Sequence, residues 1–188
     1  RVESSAASDV YKRQYLEKER GRSEQLLHNI MPKAIADRLK KTNETISIDN
    51  PEISVLFADI VNFTVMSEKL SAENIVGFLD DMFSKFDELT EKYEVEKIKT
   101  IGDAYMVVSG LTSENRSHAS ILFEFGQELL KIASNYKDHK GEPITLRIGI
   151  NSGPAVSGVI GKSKFSFDIW GDTINTAARL ESYGVPSR

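Results

Sequence analysis

Two strand-like segments joined by Gly102 and Asp103 restrict the possible folds of this chain more than any other feature. The segment Val95–Val108 reads VEKIKTIGDAYMVV. Because glycine accepts a positive φ angle and aspartate tolerates turn geometry, these two residues predict a tight hairpin turn. The residues after the turn are apolar and β-prone, so we expect a buried central strand there. Taken alone, the turn aspartate and the nearby Lys99 are typical of a solvated surface hairpin.

The composition excludes several classes of protein. The 188 residues are 40% hydrophobic and 28% charged, as in ordinary globular domains. A net charge of −4 lacks the basic excess of nucleic-acid-binding proteins, so we expect no nucleic-acid partner. The absence of cysteine excludes disulfides and thiolate ligands and suits a reducing cytosol. No apolar run approaches the roughly 20 residues of a spanning helix. The chain does not begin with Met, so we interpret it as a piece of a longer protein.

The pattern of the first 45 residues indicates a segment that precedes the compact domain. Residues 1–14 are rich in Ser and Ala and lack apolar periodicity, so we expect them to be disordered or adaptor-derived. Residues 15–45 are interpreted as a signalling helix and linker, in which Pro32 starts a second short helix ending at Lys41. A weak heptad spacing is present at Leu16, Ser23 and Ile30. This spacing fits either a lone amphipathic helix or a dimeric coiled coil.

Residues 46–188 form the predicted compact domain. A polar connection over residues 42–50 precedes an apolar strand, Ile53–Asp59. The later segments are a helix after Ser71, the two hairpin strands, a helix over Ser117–Tyr136, a strand over Ile144–Ile150, a turn over Asn151–Pro154, strands over Ala155–Ile160 and Phe165–Trp170, and a helix over Thr173–Ser182. This order predicts an α+β, ferredoxin-like βαββαβ sheet with helices on one face. The other face must be covered by another element or by a partner.

Four motifs in a fixed order carry a resemblance to a known family. They are Phe57–Thr64, Lys97–Met106, Leu146–Gly153 and Asp168–Arg179. Together they resemble the successive motifs of the class III nucleotidyl cyclase catalytic domain, and the resemblance runs from Ile46 to the end of the chain. It implies a head-to-tail homodimer whose active sites are shared between chains. It also implies that further sheet elements, and a lysine that contacts phosphates, lie beyond Arg188.

The resemblance implies a role for each motif in the reaction. Asp59 and Asp103, with the Ile60 carbonyl, match the ligands of two divalent cations, Mg²⁺ or Mn²⁺. Paired ions would make a ribose 3′-hydroxyl more acidic and neutralise phosphate charge. The positions that match phosphate-binding residues are Phe63, Thr64 and Arg147. The positions that match the groups stabilising the ribose and the α-phosphate are Asn175 and Arg179, which share one helix face.

The predicted nucleotide depends on Lys99, Asp168 and Ile169, which match the base-reading positions. Adenine presents an acceptor at N1 and a donor at its 6-amino group, which suit a lysine and a carboxylate respectively. Guanine presents the opposite pattern, and mismatched buried polar groups discriminate strongly. Guanylyl cyclases of this family carry Glu at the position that matches Lys99 and typically Cys at the position that matches Asp168. The resemblance therefore implies ATP as substrate, with cyclic AMP and pyrophosphate as products.

Three functions remain open from the sequence. The preferred one is an adenylyl cyclase of intracellular signalling, in the cytoplasm or on the cytoplasmic side of a membrane-bound parent protein. The second is a guanylyl cyclase, because the segment Gly102–Gly110 resembles the guanylyl branch more closely. The third is a catalytically silent domain that dimerises or senses nucleotide. The presence of both aspartates, Asn175 and Arg179 argues against the silent alternative.

Overall fold

The computed structural model describes residues 2–41, 46–111, 117–161 and 164–187, with side chains from Tyr11 onward. In chain order, its elements are α1 (Val2–His28), α2 (Lys33–Leu39), β1 (Ile46–Ile60), α3 (Phe63–Ser67), α4 (Ala72–Tyr93), β2 (Glu96–Ile101), β3 (Ala104–Ser109), α5 (His118–Ser134), β4 (Leu146–Ile160), β5 (Ser166–Trp170) and α6 (Asp172–Ser182). The residues divide into two units, Arg1–Ile46 with Val159–Phe167, and Ser47–Gly158 with Asp168–Arg188. The predicted βαββαβ order is confirmed.

The five strands form one sheet in the order β2-β3-β1-β4-β5. Strands β1 and β3 run antiparallel, and their register pairs Ser54 with Ser109 and Ala58 with Tyr105. Strands β2 and β3 form the predicted hairpin, and Gly102 at its turn has a φ angle of 63°. Glycine adopts that angle without the steric cost that a side chain adds, so it suits the turn.

Helices α4 and α5 cover one face of the sheet and bury its core. The side chains at the centre of this core are Leu56, Met82, Phe86, Tyr105, Val107, Leu122, Phe125, Leu129 and Leu146. Each large apolar side chain of this kind contributes about 1.5–3 kcal/mol when fully buried. Helix α4 starts as predicted, because the Ser71 hydroxyl accepts a hydrogen bond from the Asn74 amide at 3.3 Å.

Helix α6 lies against the opposite face of the sheet, whose covering the sequence left open. Side chains along a strand alternate between faces, so the core position of Ile148 places Gly149 on the other face. A Cβ atom at Gly149 would lie 2.2 Å from the Glu181 nitrogen and 2.3 Å from the Ala177 carbonyl oxygen. The backbone of α6 therefore contacts the backbone of β4 directly, and only glycine leaves room for it.

The first unit differs from the sequence prediction at its start. Residues 2–14, expected to be unstructured, belong to the continuous helix α1. This segment contains Ala, Glu, Lys, Arg and Gln, which are strong helix formers. Not all of the heptad positions lie in one helix, because α1 ends at His28 and Ile30 lies beyond it. No helix of the described residues is both long enough and apolar enough to cross a membrane.

Two predicted loops are parts of strands. Residues 46–50, assigned to a polar connection, begin β1, and residues 42–45 lie outside the described residues. The buried Asn50 side chain makes this possible, since it donates to the Ser157 hydroxyl at 3.0 Å. The predicted turn Asn151–Pro154 is part of the unbroken strand β4. There the Pro154 carbonyl accepts a hydrogen bond from the Thr173 hydroxyl at 2.7 Å, so its backbone acceptor is satisfied.

Candidate active site

Two carboxylates meet at one end of the sheet. Asp59 is the last residue but one of β1, and Asp103 lies in the turn between β2 and β3. The pairing of Ala58 with Tyr105 brings the end of β1 beside that turn. The two carboxyl groups are near enough for the charge of Asp103 to act on Asp59. Burial, followed by the negative charge of Asp103, raises the pKa of Asp59 above its usual value, while the Arg147 guanidinium acts in the opposite direction.

The donor atoms at this pair fit a divalent cation. Two carboxylates and the neighbouring Ile60 carbonyl are the oxygen ligands that Mg²⁺ prefers. Mg²⁺ also keeps several of its waters, so it needs few protein ligands. Within the described part of the chain, no three His, Cys, Asp or Glu side chains gather as a metal cluster. A cation here would therefore depend on the two aspartates and main-chain oxygen, as the sequence predicted.

Arg147 connects this carboxylate pair to helix α6. Its Nη2 atom donates to Asp59 Oδ2 at 2.7 Å, and its Nε atom donates to Glu181 Oε1 at 2.9 Å. Arg147 precedes Gly149 by two residues, so both lie on the face of β4 that α6 covers. The predicted phosphate-binding arginine thus lies beside the predicted metal ligands, with its guanidinium held between two carboxylates.

The two predicted catalytic residues lie on the solvent side of α6. Asn175 and Arg179 are one helical turn apart and both are exposed. The opposite side of the helix is buried through Thr173, Ala177 and Glu181, which also follow a spacing of four. Helix α6 therefore presents Asn175 and Arg179 outward while its inner side holds Arg147.

The predicted base-reading residues form a second polar group. Lys99 Nζ lies 2.5 Å from Asp168 Oδ2. The other oxygen, Asp168 Oδ1, accepts a hydrogen bond from the Ile169 amide at 2.9 Å, which fixes the orientation of the carboxylate. The Asp168 side chain is 19% exposed and that of Lys99 is 39% exposed, so both can reach a ligand.

The predicted phosphate-binding residues Phe63 and Thr64 belong to a short helix. Asn62 adopts a left-handed conformation with φ of 60°, and Phe63 and Thr64 then begin α3. Phe63 packs against the core, whereas Thr64 is exposed. The first amides of a helix have no partners within it and suit the oxygen atoms of an anion. The sequence analysis named Phe63 and Thr64 but not the short helix that they begin.

The structure thus places the predicted residues in two separate groups. Among the described residues, no hydrogen bond or ion pair joins Lys99 or Asp168 to Asp59, Asp103 or Arg147. These residues therefore form two groups that no direct side-chain contact joins.

Glu181 is the site residue that sequence reasoning missed. Its side chain is only 11% exposed and pairs with Arg147. The sequence does hold a signal, because Glu181 continues the spacing of small buried residues at Thr173 and Ala177. A charged residue on a buried helix stripe needs a partner, and Arg147 provides it.

Comparisons with known proteins identify the family of this chain. Residues 47–188 match the family described as the adenylate and guanylate cyclase catalytic domain. A Mycobacterium bovis adenylate cyclase is 45% identical over 168 residues, which are 89% of this chain and 38% of that protein. Guanylate cyclase 2D of Rattus norvegicus is 39% identical over 176 residues, which are 92% of this chain and 16% of that protein.

A solved structure gives the same result. The catalytic core of a rhodopsin-guanylyl cyclase with converted specificity, in complex with ATPalphaS, superposes with a TM-score of 0.71 at 36% identity. The match covers 76% of this chain and 78% of that one. The fold and the site define a nucleotide cyclase domain. The chain belongs to the adenylate and guanylate cyclase catalytic domain family, and it spans 38% or less of the curated relatives named above.

Proposed function

We propose that this chain is the catalytic domain of an adenylyl cyclase, which converts ATP to 3′,5′-cyclic AMP and pyrophosphate. The observation that carries the proposal is the contact between Lys99 Nζ and Asp168 Oδ2 at 2.5 Å. The contact holds a hydrogen-bond donor, Lys99, beside an acceptor, Asp168, which supports one recognition surface formed by the two side chains. That is the pattern needed to read one edge of a purine base.

The chemistry of the two purines favours adenine. Lys99 is a donor only, so it suits the N1 acceptor of adenine and opposes the N1–H donor of guanine. Asp168, when ionised, is an acceptor only, so it suits the 6-amino group and opposes the O6 atom of guanine. A guanine base in the same position would face Lys99 with a donor and Asp168 with an acceptor, which opposes its recognition.

The triphosphate end of the substrate is assigned to the other group of residues. Asp59, Asp103 and the Ile60 carbonyl would hold two divalent cations, Mg²⁺ or Mn²⁺. When bound, these ions lower the pKa of the ribose 3′-hydroxyl and neutralise phosphate charge. Arg147 and the amides at Phe63 and Thr64 suit the terminal phosphates, because a guanidinium and a helix start both donate to phosphate oxygens.

The reaction balances without a further reactant. The ribose 3′-oxygen forms a bond to the α-phosphorus, the bond from this phosphorus to the β-phosphate oxygen breaks, and pyrophosphate leaves. The proton of the 3′-hydroxyl passes to solvent. Asn175 is assigned to orient the ribose, and Arg179 to stabilise the charge that develops on the α-phosphate oxygens.

The active chain is proposed to be a homodimer with two shared sites. A similar guanylyl cyclase domain, 34% identical with a TM-score of 0.69, is described as dimeric, which supports this assignment. An isologous pair of chains would form two equal sites. We also place the domain in intracellular signalling, in the cytoplasm or on the cytoplasmic side of a membrane-bound parent, where ATP is abundant and a cysteine-free chain is suited.

An assay of the cyclic product tests the proposal. Purified protein is incubated with ATP or GTP and with Mg²⁺ or Mn²⁺, and the product is identified by mass spectrometry. Asp59→Ala serves as the inactive control. We expect cyclic AMP to exceed cyclic GMP. Cyclic GMP as the main product would support the guanylyl alternative, which the 39% identity to a guanylate cyclase favours. No product with either metal would support a silent domain.

A further inference from the structure

We propose that Arg147 is a removable internal counter-cation for the carboxylate pair, and that Glu181 is the positioning residue that keeps hold of Arg147 when it is released. In this proposal, a divalent cation and Arg147 compete for Asp59. Arg147 gives up Asp59 when the cation arrives and turns its free nitrogen toward the terminal phosphates. The inference rests on the proposed function in one respect, the assignment of Asp59 and Asp103 as metal ligands.

The first observation is that the two bonds of Arg147 use different nitrogens. Its Nη2 atom, at the tip, donates to Asp59, and its Nε atom, nearer the backbone, donates to Glu181. The bond at the tip can therefore be broken by a small rotation while the bond at Nε persists. A lysine could not do this, because its single nitrogen would have to leave both partners together.

The second observation is that the two carboxylate partners are not equivalent. Asp59 lies beside Asp103, a neighbour of like charge. A doubly charged cation therefore suits the two carboxylates better than the single charge of Arg147 does. Among the described residues, Glu181 contacts Arg147 and Ser182 through its side chain, and neither is a carboxylate. Its Oε2 atom accepts from the Ser182 hydroxyl at 3.3 Å, and its backbone is pressed against Gly149. Glu181 is therefore fixed in position, whereas Asp59 has a second possible partner.

The electrostatics set the direction of the exchange. A doubly charged cation at the two aspartates satisfies Asp59 and repels the guanidinium, which cannot lose its proton. Glu181 keeps the guanidinium paired during this change, so Arg147 is never left without a counter-charge in a partly buried position. The released Nη2 then suits the phosphate oxygens. Binding of the metal is thereby coupled to binding of the triphosphate through one side chain.

The test measures Mn²⁺ binding to nucleotide-free protein by electron paramagnetic resonance of the free ion. Arg147→Met removes the competitor, so it should bind Mn²⁺ about fivefold more tightly than wild type, the size expected for a partly exposed ion pair. Glu181→Gln leaves Arg147 with Asp59 as its only charged partner, so it should bind Mn²⁺ more weakly than wild type. Circular dichroism confirms that each variant is folded, and the isosteric Glu181→Gln keeps the test decisive where Arg147→Met does not fold.

A matched control separates local competition from net charge. Lys131→Met also removes one cation, but from an exposed pair with Glu128 on α5, so Mn²⁺ affinity should stay within about twofold of wild type. Asp59→Asn should lose the binding. Equal Mn²⁺ affinity in wild type, Arg147→Met and Glu181→Gln overturns the exchange, and so does the absence of Mn²⁺ binding in all of them.

A kinetic measurement separates positioning from a general structural role. If Glu181 acts through Arg147 on the terminal phosphates, Glu181→Gln should raise KM for ATP about tenfold with kcat nearly unchanged. If Glu181 only supports α6, kcat should fall instead, because Asn175 and Arg179 lie on that helix. Failure of the wild type to form any cyclic nucleotide would count against the proposed function, whereas the Mn²⁺ data would still decide the exchange.

Discussion

Replacement of Gly149 by alanine tests the contact on which the geometry of α6 depends. The added Cβ would lie 2.2 Å from the Glu181 nitrogen, 2.3 Å from the Ala177 oxygen and 2.8 Å from the Glu181 Cα. Ordinary van der Waals contact of a Cβ atom begins at 3.4 Å, so α6 must move outward by about 1.2 Å. The atoms in the way are backbone, and no change of rotamer can remove them.

The expected magnitude follows from this geometry. Insertion of a methyl group into a packed site costs about 1–3 kcal/mol, and a clash with three backbone atoms belongs at the upper end. A loss of about 3 kcal/mol should lower the melting temperature by roughly 6–12 °C in a chain of this size. The displacement should also reduce kcat, because the same helix carries Asn175 and Arg179.

The assay is thermal and urea denaturation followed by circular dichroism, with Gly77→Ala as the matched control. Gly77 lies inside α4 with no atom within 4 Å of the added Cβ. Alanine is the better helix former there, so the control should gain about 0.5–1 kcal/mol. A Gly149→Ala protein that is as stable as wild type, with kcat preserved, would refute the direct packing of α6 on β4.

Three further predictions concern the proposed reaction. Asp59→Ala or Asp103→Ala should lower turnover by about a thousandfold while the far-ultraviolet circular dichroism stays native, since these side chains hold cations and not the core; turnover within tenfold of wild type would contradict the metal assignment. Lys99→Glu combined with Asp168→Cys should reduce kcat/KM for ATP by roughly a hundredfold or more, because both base contacts are lost; an unchanged ratio of ATP to GTP use would place base recognition elsewhere. Equal mixtures of Asp59→Ala and Arg179→Ala chains should recover about a quarter of wild-type activity, since half of the dimers then hold one intact site; no recovery after subunit exchange would argue against shared sites.

The order of the elements was predictable because it depends on local patterns. Apolar alternation and helical stripes identified the strands and both core helices, and Ser71 marked a helix start. The errors arose where local patterns are uninformative. Residues 2–14 lack an apolar stripe, yet their side chains still favour a helix. Pro154 is typical of a turn, but Thr173 on α6 satisfies its carbonyl, and β4 continues through it.

The candidate site was predictable only in part, for a related reason. Asp59 and Asp103 could be brought together from the sequence, because each ends or follows a strand and the fold places those strands side by side. The contact of Arg147 with Glu181 could not be predicted, because the helical spacing shows only that Glu181 needs a partner and does not identify Arg147. It depends on how closely α6 approaches the sheet, which is decided by the missing side chain of Gly149 and appears in no local pattern. The role of Arg147 changed accordingly, from a free phosphate ligand to one that is already paired.

Two elements of this chain each carry two residues with different proposed roles. The β2–β3 hairpin bears Lys99 on one strand and Asp103 at its turn, and α6 bears Arg179 outside and Glu181 inside. In the proposed shared-site arrangement, the two residues on each element serve different active sites. A movement of α6 would therefore alter the Glu181 contact in one site and the positions of Asn175 and Arg179 in the other. The Gly149 contact makes this coupling stiff, because backbone pressed on backbone leaves no side chain to absorb the movement.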